Sequence, residues 1–455
     1  MDLYLYNSVS REKDKFIPID NKNVRMYVCG PTVYDKPHIG NARPVIVFDL
    51  LYRLLRYKYG NDYVKYIRNI TDVDDKINNI ALKKYPQMNL NESISRLTKD
   101  IEYIFKDNAK KLNCLDPTLE PKATDHIGQM ISMIEKLLEI GTAYVSDGHV
   151  IFDIKSYDNY GALSKKSQKD LLAGARVEIA KYKSDPLDFV LWKPSKSNEP
   201  YWDSPWGKGR PGWHIECSAM SSEYFGNVFD IHGGGIDLIF PHHENEIAQS
   251  CSYHSTKKMA NFFLHNGSLN LEGKKMSKST GNIVSLCDIL DNFSGSVIRL
   301  AMLSTHYRQP IDWTEKNLQQ SKSILKKWSD KLNPISSKVH KENLPEEVYN
   351  SLLDDLNTPQ ALSHMHSYYS NKEYEKLQNS IEILGLVDYS YEQTKNKEDS
   401  RKNINESEVL ALINERNEAR KHKDYKKSDE IRNKLEKMGI KLQDIDNGTT
   451  WEFFE

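Results

Sequence analysis

The sequence predicts an α/β protein: a parallel-sheet domain interrupted by an insertion and followed by a mostly helical carboxyl-terminal region. Three observations carry this. Residues 24–29 (VRMYVC) read as a strand, about 41–58 as a periodic helix, and 64–70 (VKYIRNI) as a second strand. Strand, helix and strand in that order argue for a parallel unit. Breaker-rich, non-periodic sequence then fills 115–205, and beyond about 315 the strand signals give way to polar helical segments.

Taken in order, Gly30-Pro31-Thr32 breaks the chain after the first strand. In the helix, Phe48, Leu51, Tyr52 and Leu55 share one face, Pro44 is tolerable near the first turn, and Gly60 closes it. The second strand ends at Thr71-Asp72. Within the insertion a helix is expected over about 121–140, followed by short strands. The strand-like Asn227–Ile231 leads into His232-Gly233-Gly234-Gly235, a second loop at the carboxyl end of a strand, where such sheets bind ligands. Further on, helices are expected from Leu352 to about Tyr369 and from Glu373 to Leu384. Residues 390–407 read as an exposed linker, and two more helices follow at 408–421 and about 425–437, ending at Gly439. The expected divisions are 1–114 and 206–265 for the two halves of the sheet domain, 115–205 for the insertion, and 266–314 for a following region. A helical bundle over 315–389, the linker, and a small domain over 408–455 complete them.

A length of 455 residues allows two to four domains, and 38% hydrophobic with 28% charged residues fits a polar globular chain. No apolar run reaches 18 residues and no basic-then-apolar leader opens the chain, which argues against a membrane span or secretion. Five scattered cysteines form no disulfide framework, so a reducing compartment, the cytoplasm, is expected. The net charge of −1 neither announces nor excludes a nucleic-acid partner, because local clustering decides that.

Pro241-His242-His243-Glu244-Asn245-Glu246 is the most informative local arrangement. A proline can begin a helix, which places His242 and Glu246 on one face while His243 projects roughly 100° away. Imidazole and carboxylate at that spacing suit zinc, and Cys29 and Cys217 would complete its usual four ligands. Each cysteine reads equally as a small buried apolar side chain. Cys114, Cys251 and Cys287 have no such surroundings.

His38-Ile39-Gly40-Asn41 begins the first long helix, where backbone N–H groups favour anions and His38 can donate to phosphate. Farther along, Lys275 and Lys278 lie three apart in Gly273-Lys274-Lys275-Met276-Ser277-Lys278-Ser279, a cationic clamp suited to a leaving pyrophosphate. No Gly-x4-Gly-Lys-Ser/Thr phosphate loop is present. Across 411–437, nine Lys/Arg face six Asp/Glu, and Arg416 and Arg420 lie four apart. A solvated helix hairpin accounts for this equally well.

In combination, these motifs resemble the class I aminoacyl-tRNA synthetases. His38–Asn41 is similar to the HIGH signature and Lys275–Ser279 matches KMSKS. Tyr27–Asp35, Asn69–Lys76, Pro186–Lys193, Gly212–Ser218 and His232–Glu246 resemble the cysteinyl-tRNA synthetase family specifically, as does Gly448-Thr449-Thr450-Trp451 near the end. The resemblance implies a Rossmann-like catalytic domain, L-cysteine, ATP with Mg2+, and tRNA(Cys) as partners, and a monomer. It implies one zinc ion on Cys29, Cys217, His242 and Glu246 that receives the substrate thiolate. It further implies a cysteine pocket with Thr71, Trp213 and His232, and an adenosine site with Gly233, Gly234, Gly235 and Asp237. His38, Asn41, Lys275 and Lys278 would serve the phosphates. Residues 266–314 would hold the KMSKS loop and contact the tRNA stem. The small terminal domain would read the anticodon with Arg416 and Arg420, while Trp451 would either stack on a base or anchor the domain.

Two departures stand out. Asn41 replaces the second histidine of the signature, keeping an N–H donor without a cationic state. The family ending Trp-Arg-Arg is replaced by Trp451-Glu452-Phe453, whose acidic residue cannot contact phosphate as arginine does. The rival readings are a ligase joining cysteinyl-adenylate to an amine-bearing small molecule, and a non-catalytic RNA-binding paralogue.

Overall fold

A computed structural model describes residues 1–166, 180–196, 199–275, 283–332, 344–387, 406–422, 424–437, 440–445 and 448–453. At its centre four parallel strands lie in the order Ala260–Asn266, Phe229–Gly235, Val24–Val28, Val64–Arg68. Val24, Met26 and Val28 face one buried side and Tyr27 the other, as expected of a parallel sheet covered on both faces. The first and last members of the predicted strand–helix–strand unit therefore pair directly, Met26 opposite Tyr66.

The helix between them runs from Ile39 to Tyr59, two residues earlier than its periodicity suggested. Pro44 consequently sits in the second turn, where its ring nitrogen cannot donate to the Gly40 carbonyl. Basic Arg56 and Lys58 occupy the last turn, and Gly60, at φ +116°, ends the helix with its N–H on the Arg56 carbonyl.

Helices Asp75–Lys84, Leu90–Lys111 and Ile127–Glu139 follow the second strand. The last is preceded by the 3-10 turn Ala123–His126, which together fill the expected 121–140 helix. A four-stranded antiparallel sheet then forms from Ala143–Ser146, His149–Phe152, Phe189–Pro194 and Gly209–Pro211. Its core holds fully buried Trp192 and the stacked rings of Phe152 and Phe189, 4.9 Å apart.

After the main sheet, a short hairpin of Leu269–Leu271 and Lys274–Lys275 turns at Glu272 and Gly273, both at positive φ. Leu269–Leu271 also pairs in parallel with Ile311–Trp313. Helices Leu286–Leu290 and Gly295–Leu303 intervene between these strands. Four further helices follow: Glu315–Ser329, Glu346–Leu353, Thr358–Ser370 and Tyr374–Ile383.

The single helix expected from Leu352 is two. The break falls at Asp355 and Leu356, at φ +59° and +52°. There the Asp355 carboxylate accepts from the Tyr6 N–H, the Tyr307 hydroxyl and Arg308 Nε, at 2.7–2.8 Å. Asn357 then caps the next helix. Local polar bonds outcompete helix continuation here.

The chain divides into two compact units, Met1–Val387 and Asp388–Glu455. The second contains helices Glu406–Lys421 and Tyr425–Lys437, near the expected bounds, and an antiparallel pair, Ile440–Ile445 with Gly448–Phe453. The region is mostly helical, as expected, and this pair adds a hairpin that was not anticipated. Six-residue strands give little periodic signal, and the Asn447-Gly448 dipeptide between them was the cue to a hairpin. Val409, Leu412, Ile413, Ile431, Leu435 and Ile440 form that unit's small core. No helix among the described residues is long and apolar enough to cross a membrane.

Candidate active site and metal centre

Cys29 is the first residue beyond the strand Val24–Val28, and its N–H donates to the Gly233 carbonyl of the neighbouring strand. Gly30 lets two strand ends meet, because a Cβ there would lie 1.7 Å from the Asn69 carbonyl oxygen. Cys217 projects from the helix Trp213–Phe225. His242 and Glu246 stand one turn apart where the chain enters the helix Glu244–His254.

These four converge as the sequence predicted. The Cys29 and Cys217 sulfurs are 3.6 Å apart, Cys29 Sγ lies 3.4 Å from Glu246 Oε1, and His242 Nε2 lies 3.0 Å from the same oxygen. One ligand atom from each falls within 4.8 Å of all the others. An overlapping group, Cys29, His232, His243 and Glu246, meets the same limit. The set with two sulfurs is the better match to zinc, which favours thiolate and imidazole.

Electrostatics support a cation there. Burial pushes the Glu246 carboxyl up, but His232 and His242 outweigh it and hold it well below the usual carboxylate range. The Cys217 thiol is lowered to about 6, first by the Cys29 thiol donating to it. Cys29 itself is pushed well up by burial, with Cys217 and Glu246 acting in the same direction. Burial draws His242 down, yet Glu246 and Cys217 raise it to about 10. Two sulfurs and a carboxylate thus face one another with a proton held among them, the electron-rich pocket a soft divalent ion fits.

Around the four lies a shell of imidazoles that sequence reasoning missed. His214 Nδ1 lies 2.9 Å from His242 Nδ1, and His243 Nδ1 lies 2.8 Å from His265 Nε2. Burial lowers His214 and His243 well below the usual histidine value and His265 to about 3. Adjacency to the ligands could have flagged His214 and His243. Only the fold brings His265.

The proposed pocket residues gather at the same place. His232 is fully buried, with Nε2 3.0 Å from Glu246 Oε2. Trp213, 41% exposed, stacks on the His242 ring at 4.2 Å. Thr71 is buried, its hydroxyl donating to Glu216 Oε2 at 3.0 Å. Glu216, next to Cys217, is a further buried residue that spacing did not reveal; burial pushes its carboxyl well up.

At the head of the first long helix, Asn41 Oδ1 accepts from the His38 N–H at 3.0 Å, while the Asn41 N–H donates to the His38 carbonyl at 2.8 Å. Asparagine thus closes a reciprocal capping box at the helix start. The glycine run has an internal explanation as well. A Cβ on Gly233 would strike the Phe48 ring at 2.4 Å, and one on Gly234 would meet His243 at 2.9 Å. On Gly235 it would meet Asp237 Oδ1 at 2.5 Å, and Asp237 is exposed. Lys275 ends the hairpin with its backbone opposite Asn270; Lys278 and the rest of that motif lie outside the described residues.

In the second unit the two arginines differ. Arg416 is buried, with Nη1 3.4 Å from Thr449 Oγ1, whereas Arg420 is exposed. Trp451 is half-buried and packs against the unit's core.

Comparison with known proteins places both units. Residues 15–323 match the family described as tRNA synthetases class I (C) catalytic domain, and 406–451 match the Cysteinyl-tRNA ligase anticodon binding domain. A cysteine--tRNA ligase of Pelagibacter ubique is 49% identical over 457 residues, covering 99% of each chain. That of Beijerinckia indica is 50% identical over 465 residues, again covering 99% of each. Among solved structures, methionyl-tRNA synthetase of Mycobacterium tuberculosis with methionyl-adenylate has a TM-score of 0.51 at 14% identity. The match covers 85% of this chain and 86% of that one, and it shows a shared fold.

Proposed function

The chain belongs to the cysteine--tRNA ligase family of class I tRNA synthetases, and from that premise we propose that it activates L-cysteine with ATP and transfers it to tRNA(Cys). Zinc held by Cys29, Cys217, His242 and Glu246 would select the thiol. The observation that carries this is the meeting of those four donors, from three separate segments, within 4.8 Å.

When bound, zinc supplies a soft Lewis acid that distinguishes a thiolate from an alcohol. Shape alone separates cysteine from serine poorly. The protein's own residues do the rest. Trp213 walls the pocket and fixes the His242 ring, Thr71 borders it, and His232 orients Glu246. The substrate's carboxylate oxygen attacks the α-phosphorus of ATP as the bond to pyrophosphate breaks. His38, Asn41, Lys275 and Lys278 stabilise the charge that develops. Gly233, Gly234 and Gly235 border the adenosine and Asp237 takes the ribose hydroxyls. Mg2+ arrives with ATP as its counter-ion. The terminal ribose hydroxyl of tRNA then attacks the adenylate carbonyl, forming the ester and releasing AMP. Arg420 is the cation of the small unit best exposed for RNA, with Arg416 and Trp451 supporting it from within. The enzyme is proposed to be a cytoplasmic monomer, on the family resemblance.

The anticodon-domain match over 406–451 favours tRNA over an amine-bearing small molecule as acceptor. ATP–pyrophosphate exchange should require cysteine and be nearly blind to serine, and the protein should then charge an unfractionated tRNA pool. Equal exchange with serine would sink the selectivity, and exchange without charging would favour the small-molecule ligase.

A further inference from the structure

Arg43 lies five residues past His38, is 1% exposed, and has no carboxylate partner among the described residues. A buried guanidinium without a counter-charge is costly unless its donors are satisfied. Here they all but are. Nη1 donates to the carbonyls of Gly267 at 2.8 Å and Ser268 at 2.6 Å. Nη2 donates to those of His306 at 3.4 Å, Tyr307 at 3.2 Å and Gln309 at 2.5 Å.

Those carbonyls belong to two segments that are themselves joined. The Gly267 N–H donates to the Tyr307 carbonyl and the Ile311 N–H to that of Ser268. The approach is close enough that a Cβ on Gly267 would lie 2.5 Å from the Gln309 oxygen. From Gly267 and Ser268 the chain runs straight into Leu269–Leu271, turns, and returns to Lys275. It is next described at the same helix end: the Ile39 N–H donates to the Val284 carbonyl and the Leu286 N–H to that of Pro37. The stretch bearing Lys275 is thus held to the helix of His38 and Asn41 on both sides. On one side the hydrogen bonds named are between main chains, and on the other they come from the Arg43 side chain. Asp355 grips the 306–309 segment from its far face through Tyr307 and Arg308.

We propose that Arg43 is a positioning residue for the activation step, fixing the start of the Lys275 hairpin against the helix that presents His38 and Asn41. The proposal rests on the reading above that Lys275 serves the ATP phosphates. Only arginine has the rigid fork to span two segments at once; a lysine offers donors from one point. Because transition-state charge is stabilised only when cation and phosphate are in register, a slip of about 1 Å costs on the order of 100-fold.

The test is ATP–pyrophosphate exchange by the full-length protein carrying Arg43→Lys, Lys275→Ala, or both. Arg43→Lys should lower kcat by roughly 10- to 100-fold with the cysteine KM little changed. In the Lys275→Ala background it should cost about twofold or less, the non-additivity of residues acting through one group. An additive loss, or an unaffected Arg43→Lys beside a slowed Lys275→Ala, overturns the proposal and leaves the reading of Lys275 standing. An unchanged Lys275→Ala removes the lysine from that reading and this proposal with it. Should Arg43→Lys fail to fold, Asp355→Asn loosens the same platform from the other face with a residue that tolerates its positive φ. It should show the same non-additivity with Lys275→Ala, and additivity there overturns the proposal.

Discussion

At the scale of single residues, the metal centre is a set of side chains that each has an ordinary alternative use. Cys217 packs in the same cluster as Ile215 and Ala219, as an ordinary buried side chain would. Cys29 meets it only because two strand ends and two helix starts converge. Replacing Cys217 by serine, or His242 by alanine, should therefore lower bound zinc below one per chain. It should raise the cysteine KM in the same variant, by more than about tenfold if each lost contact is worth over 1.4 kcal/mol. Metal analysis beside exchange kinetics checks this, and full metal content would remove that residue from the ligand set. The convergence of these four side chains was legible through the spacing of His242 and Glu246 and the motifs around the cysteines. The imidazoles behind them were not, since His265, on the strand Ala260–Asn266, meets His243 only through the fold. The burial of Arg416 was not legible for a related reason. Spacing placed it beside Arg420, but a helix in a small unit has too few apolar residues to cover its inner face, so an arginine stem serves instead.

At the scale of elements, the first long helix is tied to its neighbours by charge as well as by apolar packing. Asp49, buried on that helix, accepts from Arg53 Nε, the Leu115 N–H and, in a short contact, Arg299 Nη2. Arg299 lies on the helix Gly295–Leu303 and donates in turn to the Leu384 carbonyl at 2.5 Å. Gly385, at φ +65°, leaves it room, because a Cβ there would lie 2.8 Å from the guanidinium carbon. Burial pushes the Asp49 carboxyl up, but Arg299 and Arg53 outweigh it and hold it below its ordinary value. A depressed carboxylate contributes stability above its unfolded value of about 3.9 and loses it as pH falls through the folded one. Asp49→Asn should cost about 3–5 kcal/mol near neutrality by leaving Arg299 buried and unpaired. Its unfolding midpoint should begin to approach that of the wild type as pH drops below about 4 and meet it only below the depressed folded value, where the wild type too has lost the carboxylate. A gap independent of pH would show that Asp49 acts by shape alone. The helix was legible from Phe48, Leu51, Tyr52 and Leu55, but not this network, whose central pair, Asp49 and Arg299, lies 250 residues apart in the chain. The break at Asp355 escaped in part for the same reason, since Tyr6, Tyr307 and Arg308 hold its carboxylate from afar, although Asn357 with Pro359 was an adjacent cue to a new helix start.

At the scale of the whole molecule, each of the two units has its own core. A chain ending at Val387 should keep cysteine-dependent pyrophosphate exchange within a few-fold of the full protein. It should lose tRNA charging by on the order of 100-fold or more, since about 3 kcal/mol of recognition suffices for that. Comparing the two assays on the same preparation checks it, and undiminished charging would withdraw the tail's part. Composition gave no hint of this division of labour, because the excess of basic residues in the tail vanishes in a net charge of −1.

The strand order of the central sheet also imposes a timetable. Val24–Val28 is flanked on one side by Val64–Arg68 and on the other by Phe229–Gly235. A growing chain can form the first pairing early, but the second edge stays bare until the ribosome has added everything up to Gly235. Unpaired edges of this kind invite misassociation, and long-range parallel pairing is slow. His242 and Glu246 emerge directly behind the strand that closes the gap. The pairing of both edges of Val24–Val28 and the last of the four proposed zinc donors thus arrive within about a dozen residues of synthesis, before the outer strand Ala260–Asn266 is made, so no earlier nascent chain presents the full set of thiol, imidazole and carboxylate to the cell's metal pool.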